Sequence, residues 1–258
     1  MKANFKELDK LTNQGFLRSV ISPQKDLILY NYTDSCTYSR NWNKYTKNAR
    51  GTVYDLETGE VVALAFPKFM NFEELTATEQ RRILKLKKFT AYEKMDGSLG
   101  IVFHYKGRWY LNTRGSFSSP QALEGLRLLN NKYNKDLLNK NYTYLCEIIT
   151  PETKIILDYK GEEMLSCLAI MDVKNLKELE KEEYIKEADR VGFPRPKIYE
   201  FNSIEEIIDW KKSLGADNEG TVVQYHFSGK IHRVKFKSNK YLEVAKILSN
   251  VNYLSVWA

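Results

Sequence analysis

Residues Tyr92–Gly100 read YEKMDGSLG, after which the chain continues as Ile101-Val102-Phe103. Asp-Gly between two strand-like runs is a standard signal for a tight hairpin, and a hairpin needs no chemistry. The lysine two positions ahead of the aspartate opens a second reading. In extended backbone, residues i and i+2 project to the same side, so Lys94 and Asp96 share a face beside the turn. The stretch is either an ordinary corner or the mount for a nucleophilic amine, and its neighbours must decide.

Outward from this corner the pattern is that of sheet. Aromatic and β-branched residues alternate through ILYNY, GTVYD, VVALAF, IVFHY and RWYLNT, within about residues 26–113. Further strands are expected in YTYLCEIIT, KIILDY and MLSCLAIMDV, and in TVVQYHF and IHRVKFK around a turn at Ser228-Gly229-Lys230. Helices are expected over Phe5–Asn13, over 120–135 with Pro120 in the first turn, and over the Glu/Lys-rich 176–190. Two more follow, one after the capping pattern Ser203-Ile204-Glu205-Glu206 and one over 241–248. The economical class is α+β, mainly antiparallel sheets flanked by helices, in a single domain over 1–258.

Several charges interrupt these runs. Arg233-Val234-Lys235-Phe236-Lys237 alternates basic and apolar, which sets Lys235 and Lys237 on one face. Inward lysines are costly unless they meet an anion; the other account is an edge strand with its basic side in water. Glu219 stands directly before Gly220, where backbone can approach a ligand closely. Glu147 interrupts the apolar Leu145-Cys146-Glu147-Ile148-Ile149, so it either faces water or is held in a site. Such acids suit a metal-hydrated phosphate or ribose hydroxyls. Upstream, Arg50 in ARGTVYD and Lys68 in FPKFMN each place one cation among aromatic, sheet-forming residues.

The bulk composition narrows the classes. Forty basic against thirty-three acidic residues give a formal charge of +7, a balance that favours polyanionic partners. The three cysteines, Cys36, Cys146 and Cys167, are scattered outside any CxxC spacing, and His104, His226 and His232 lack a ligand spacing. Nothing approaches a membrane span or a signal peptide, so no membrane partner and a cytoplasmic location are expected.

Taken in order, these residues resemble the covalent nucleotidyltransferases, the superfamily of polynucleotide ligases and mRNA capping enzymes. The resemblance is strongest to the nucleotidyltransferase domain of the bacteriophage RNA ligase 1 family. The superfamily's K-x-D-G falls on Lys94-Met95-Asp96-Gly97, its strand acid on Glu147, its E-G on Glu219-Gly220 and its K-x-K on Lys235-Phe236-Lys237. Arg50-Gly51, Phe66-Pro67-Lys68-Phe69, Thr113-Arg114-Gly115-Ser116 and Pro151-Glu152-Thr153-Lys154-Ile155 match the narrower family. Family members often carry lysine where Arg114 stands, and an asparagine-arginine pair where Thr153-Lys154 stands.

The resemblance implies an ATP-grasp-like ligase adenylation fold, without the family's helical C-terminal domain. It implies an ATP-dependent RNA ligase that joins 5′-phosphate and 3′-hydroxyl ends, with Lys94 as nucleophile and Asp96, Lys235 and Lys237 as catalytic partners. ATP would be held by Arg50, Lys68, Glu93, Gly97, Arg114, Glu147, Glu219, Lys235 and Lys237. Arg50 and Lys68 take the β- and γ-phosphates, and Glu147 and Arg114 the ribose and adenylate. Mg²⁺ is the expected metal, with Mn²⁺ an alternative, held at Glu219 through water. The implied RNA is single-stranded or a broken loop such as that of a tRNA, and the protein a monomer in a bacterial or phage-infected cytosol. Two segments offer RNA a basic surface, the ring-rich 40–50 and the plain basic run 81–88. Another polynucleotide ligase, a capping nucleotidyltransferase and a catalytically silent nucleic-acid-binding module remain as alternatives.

Overall fold

The computed structural model describes residues 2–255, with side chains through residue 248. The chain divides into two compact units: 2–68, 97–153 and 162–195 form the first, and 69–96, 154–161 and 196–255 the second. Helix α1 (Phe5–Asn13) starts at Asn4, whose side chain accepts the Glu7 N–H, and buries Leu8 and Leu11. Strands β1 (Leu17–Ile21) and β2 (Leu27–Tyr32) follow, then the short helices α2 (Asp34–Tyr38) and α3 (Lys44–Asn48), then β3 (Arg50–Asp55) and β4 (Val61–Ala63). These four strands form one sheet in the order β1-β2-β3-β4, antiparallel throughout. Every β2 side chain is buried.

The second unit begins with α4 (Ala77–Leu84) and β5 (Thr90–Glu93). The chain then returns to the first unit as β6 (Ser98–Tyr105), β7 (Arg108–Thr113), α5 (Pro120–Lys132), β8 (Tyr142–Ile149), β9 (Met164–Asp172), β10 (Lys177–Glu178) and α6 (Lys181–Val191). Their strands make a five-stranded sheet, β10-β9-β8-β6-β7. Tyr105 of β6 ties it to the first sheet by donating to Asp55 of β3 at 2.6 Å. Helix α5 starts as its sequence predicts, with Ser119 capping the Ala122 N–H and Pro120 in the first turn.

The chain completes the second unit with β11 (Ile198–Tyr199), α7 (Ile204–Ser213), β12 (Gly220–Phe227), β13 (Lys230–Lys237) and α8 (Asn239–Ser255). Its sheet runs β11-β5-β12-β13. Ile83, Ala91, Ile204, Ile207, Val223, Val234 and Phe236 fill its core. Each fully buried aliphatic or aromatic side chain of this kind contributes about 1.5–3 kcal/mol.

Three expectations change. YEKMDGSLG is not a hairpin, because β5 and β6 belong to different sheets and residues 94–97 carry the chain from one sheet to the other. KIILDY forms no strand; the backbone N–H groups of Ile156 and Leu157 are spent on the Asp96 carboxylate instead of a ladder. The helix expected over 176–190 begins only at Lys181, since Lys177 and Glu178 pair with β9 as β10.

Candidate active site

In the second unit, the Lys94 N–H donates to the Gly220 carbonyl at 3.0 Å, extending the β5–β12 ladder one residue past the strand. That register sets Lys94 beside the start of β12. Lys94 Nζ donates to Glu219 Oε2 at 2.8 Å, and Lys237 Nζ of β13 meets Glu219 Oε1 at 2.8 Å. Glu219 is only 3% exposed. One buried carboxylate thus divides its two oxygens between two lysines.

Gly220 lets the strands come together at this point. Its φ is +121°, and a Cβ there would run into the Phe236 carbonyl oxygen. The close approach seen here is to the neighbouring strand. Lys235, on the same face as Lys237, has its ammonium 4.7 Å from the centroid of the Phe69 ring, while its N–H donates to Met70 O. The neighbour that holds the Lys94 amine is a carboxylate, with Lys237 on its other oxygen.

Asp96 is buried and its carboxylate is saturated by protein donors. Oδ2 accepts the N–H groups of Ile156 and Leu157 at 2.8 and 2.7 Å, and Oδ1 accepts the Tyr241 hydroxyl at 2.7 Å. The Asp96 N–H in turn donates to the Tyr159 hydroxyl at 2.8 Å. Burial, with the charge of Glu219 and the bond to Asp96, pushes the Tyr241 phenol far above its ordinary value, so it stays a donor. Glu93 lies at the end of β5, and its Oε2 accepts the Lys197 N–H at 3.4 Å.

The first unit holds a separate group centred on Tyr32, the last residue of β2. Its hydroxyl accepts from Arg114 at 2.9 Å and is hydrogen-bonded by Arg50. Lys68 Nζ stands 5.2 Å from the Tyr32 centroid and 5.4 Å from that of Trp42, and the two rings meet edge to face. Burial raises the Tyr32 phenol, yet the charges of Arg114, Arg50 and Lys68 outweigh it and draw the phenol below its ordinary value. Burial also draws the Arg50 guanidinium down, opposed by Tyr32 and by the charge of Glu147. Glu147 Oε1 accepts the Gly97 N–H at 3.0 Å, and a Cβ on Gly97 would strike the Ile148 carbonyl and crowd Glu147. Three cations around two rings form a ready anion site.

For a metal, the test is donor chemistry. Among the described residues, the group of three acids close enough to share an ion is Glu124, Glu152 and Glu163, where Arg127 already pairs with Glu124 and Glu163. Glu219 is not part of it. A single hard carboxylate without a protein cage fits a cation that keeps most of its water and leans on phosphate oxygens, as Mg²⁺ does.

A family model described as RNA ligase matches residues 48–241. The chain belongs to the RNA ligase family. A provisionally assigned RNA ligase of Thermovibrio ammonificans is 36% identical over 124 residues, covering 46% of this chain and 32% of that protein. A provisionally assigned bifunctional polynucleotide kinase/RNA ligase of Autographa californica nuclear polyhedrosis virus is 26% identical over 245 residues, covering 86% of this chain and 34% of that one. The chain spans about a third of the length of these curated relatives. Among solved structures, an archaeal ATP-dependent RNA ligase superposes with a TM-score of 0.61 at 19% identity, covering 91% of this chain and 61% of that one. The RNA ligase of Naegleria gruberi does so at 0.55 and 17%, covering 95% and 84%. The α+β architecture of antiparallel sheets and flanking helices is thus the ligase nucleotidyltransferase fold.

Within this RNA ligase family member, Lys94, Glu219 and Lys237 meet as one group, and Arg50, Lys68 and Arg114 as another. Two tyrosines were not singled out from sequence: Tyr32, at the centre of the second group, and Tyr241, which donates to Asp96. Tyr32 ends an apolar strand, where a ring normally signals core; Tyr241 lies four residues after Lys237, as the third residue of α8.

Proposed function

We propose that this chain is the nucleotidyltransferase part of an ATP-dependent RNA ligase that joins 5′-phosphate and 3′-hydroxyl RNA ends through lysyl-AMP. The observation that carries the proposal is the Lys94 amine held on the buried Glu219 carboxylate, with Lys237 on its other oxygen. In the first step Lys94 Nζ bonds to the α-phosphorus of ATP, the bond from that phosphorus to the bridging oxygen breaks, and pyrophosphate leaves. The proton that the ammonium must lose faces Glu219 Oε2. Lys237 and Lys235 supply positive charge for the α-phosphate oxygens. The resemblance assigns the β- and γ-phosphates to Arg50 and Lys68, and the Tyr32-centred cluster has the charge for them.

In the second step an oxygen of the RNA 5′-phosphate attacks the phosphorus of lysyl-AMP; the P–N bond breaks and the amine takes back a proton. In the third, a 3′-hydroxyl attacks that activated phosphate, loses its proton and expels AMP. Asp96, tied to Ile156, Leu157 and Tyr241, fixes the backbone that carries Lys94. Glu147 and Arg114 would position the ribose and adenylate, Gly97 giving its N–H to Glu147, with Glu93 flanking the nucleotide from β5. Glu219 would hold Mg²⁺ through water, and the cation would neutralise charge on the nucleotide's phosphates. The Naegleria gruberi ligase has been solved with pyrophosphate and, as a mutant of TM-score 0.51 to this chain, with ATP and Mn.

Intact-mass measurement after incubation with each of the four NTPs and MgCl₂ tests the proposal. An AMP adduct from ATP on the wild type, missing in Lys94→Ala, is expected, followed by sealing of 5′-phosphorylated RNA. No adduct from ATP, an equal adduct on Lys94→Ala, or labelling by GTP alone overturns it.

A further inference from the structure

Tyr38, at the end of α2, is 87% exposed. It opens a stretch, residues 38–48, that contains Arg40, Lys44 and Lys47 and no acid. All three cations are exposed. The stretch is nonetheless well fastened. Arg40 adopts a left-handed φ of +50° and turns the chain, and its carbonyl accepts the Trp42 N–H at 2.8 Å. The Asn41 carbonyl takes the Thr46 hydroxyl at 2.8 Å and the Cys36 thiol at 3.3 Å. Asn43 then caps α3 through the N–H groups of Tyr45 and Thr46. A tyrosine and three cations thus stand on a prearranged backbone, which lowers the ordering cost of binding.

This surface is continuous with the Tyr32-centred cluster of the same unit. The Lys47 carbonyl accepts the Lys68 N–H at 2.7 Å, and Trp42 packs on Tyr32 beside the Lys68 ammonium. Lys47, Lys44, Arg40 and Tyr38 thus belong to the chain segment fastened to that cluster. In the plain basic run over 81–88, the Arg82 guanidinium is already placed over the Phe227 ring at 4.5 Å.

We propose that the surface formed by Tyr38, Arg40, Lys44 and Lys47 is a platform for the single-stranded RNA substrate, with Tyr38 stacking on a base and the cations pairing with phosphates. The assignment rests on the ligase reading above and names where its substrate lies. Stacking on an aromatic is tolerant of base identity, whereas the cations give affinity that falls with salt.

The test uses the whole chain, a fluorescent 5′-phosphorylated oligoribonucleotide and the matching DNA. Anisotropy across a salt series is read beside lysyl-AMP formation from ATP alone. Tyr38→Ala is expected to weaken RNA binding roughly five- to hundredfold. Arg40→Ala/Lys44→Ala/Lys47→Ala is expected to lower the log–log salt slope by about 2, three phosphates at the single-strand value. Both variants should keep the wild-type melting temperature and lysyl-AMP yield. Lys87→Ala/Lys88→Ala, the control on the other basic run, should bind as wild type does. RNA affinity and salt slope unchanged in the platform variants, losses confined to the control, or tighter binding of DNA than of RNA overturns the platform. Wild type that forms no lysyl-AMP overturns the ligase reading itself, and wild type that forms it but binds no RNA overturns the platform alone.

Discussion

Glu219→Gln and Lys94→Ala remove opposite ends of the same ion pair, and the structure predicts unequal consequences. In Lys94→Ala the carboxylate keeps Lys237 at 2.8 Å, so the loss is one charge-assisted hydrogen bond, worth about 1.5–3 kcal/mol. The Lys94 side chain is 18% exposed, so water screens part of the pair and the lower figure applies. In Glu219→Gln both ammonium groups lose their counter-charge, in a place where the glutamate side chain is only 3% exposed. The amide oxygen can serve one lysine, but its NH₂ turns toward the other cation. Removing one partner of a buried pair costs about 3–5 kcal/mol, and the partial exposure of both lysines favours about 3. For a domain of this size a kilocalorie moves the melting temperature by about 2–4 °C. Thermal unfolding followed by circular dichroism should drop by about 6–12 °C in Glu219→Gln and by about half that in Lys94→Ala. Lysyl-AMP formation should vanish in Lys94→Ala and slow in Glu219→Gln. If Lys94→Ala is destabilised as much as Glu219→Gln, the shared-carboxylate account is wrong.

Tyr241→Phe deletes one charged hydrogen bond to Asp96, about 1.5–3 kcal/mol; the melting temperature and the rate of lysyl-AMP formation should fall together, and an unchanged rate contradicts the positioning role of Asp96. Tyr32, drawn below the ordinary tyrosine value of 10.0 by its cations, should supply the first step of an ultraviolet tyrosinate titration. Between its folded value and 10.0 the unfolded chain binds more protons at this group, so its contribution to stability grows as pH rises through that window and is absent below it. Tyr32→Phe should remove both the early absorbance step and this gain; superimposable titrations refute the cluster. Gly97→Ala drives a methyl into the Ile148 carbonyl and crowds Glu147, and should cost about 1–3 kcal/mol by thermal melting; a wild-type melting curve would show that the backbone there gives way freely.

The charged residues that break apolar runs were legible because a buried charge needs a partner, and alternation told which of them share a face. Alternation alone did not group Lys94, Glu219 and Lys237, of which the first pair lie 125 positions apart; the resemblance to the ligase motifs did. Partner identity was less legible: that Glu219 holds two lysines follows from the β5–β12 and β12–β13 registers, which no local pattern states. Asp-Gly was misread as a hairpin because turn propensity is local, whereas the donors that claim Asp96 come from residues 156, 157 and 241. The same donors explain KIILDY, whose apolar alternation is that of a strand but whose N–H groups have a better acceptor. Tyrosines on buried elements carry no such signal, since ring and hydroxyl look alike from sequence whether the oxygen meets two arginines or a structural carboxylate.

The acids and the cations of this molecule divide their labour. Glu147 holds the Gly97 N–H, Asp96 holds two N–H groups and a phenol, and Glu219 holds two ammonium groups. Each acidic group is engaged by donors of the protein itself, which is how a carboxylate below one-tenth exposure becomes tolerable. The cations gather alongside: Lys94 and Lys237 meet at the one carboxylate of Glu219, and Arg50, Lys68 and Arg114 gather at the Tyr32 phenol and its neighbouring indole. Acids organise the backbone, and positive charge is collected on prearranged supports. On the ligase function proposed above, a phosphate-bearing substrate would complete such an arrangement electrostatically, and its affinity would reside in how the carboxylates are occupied as much as in the number of lysines and arginines.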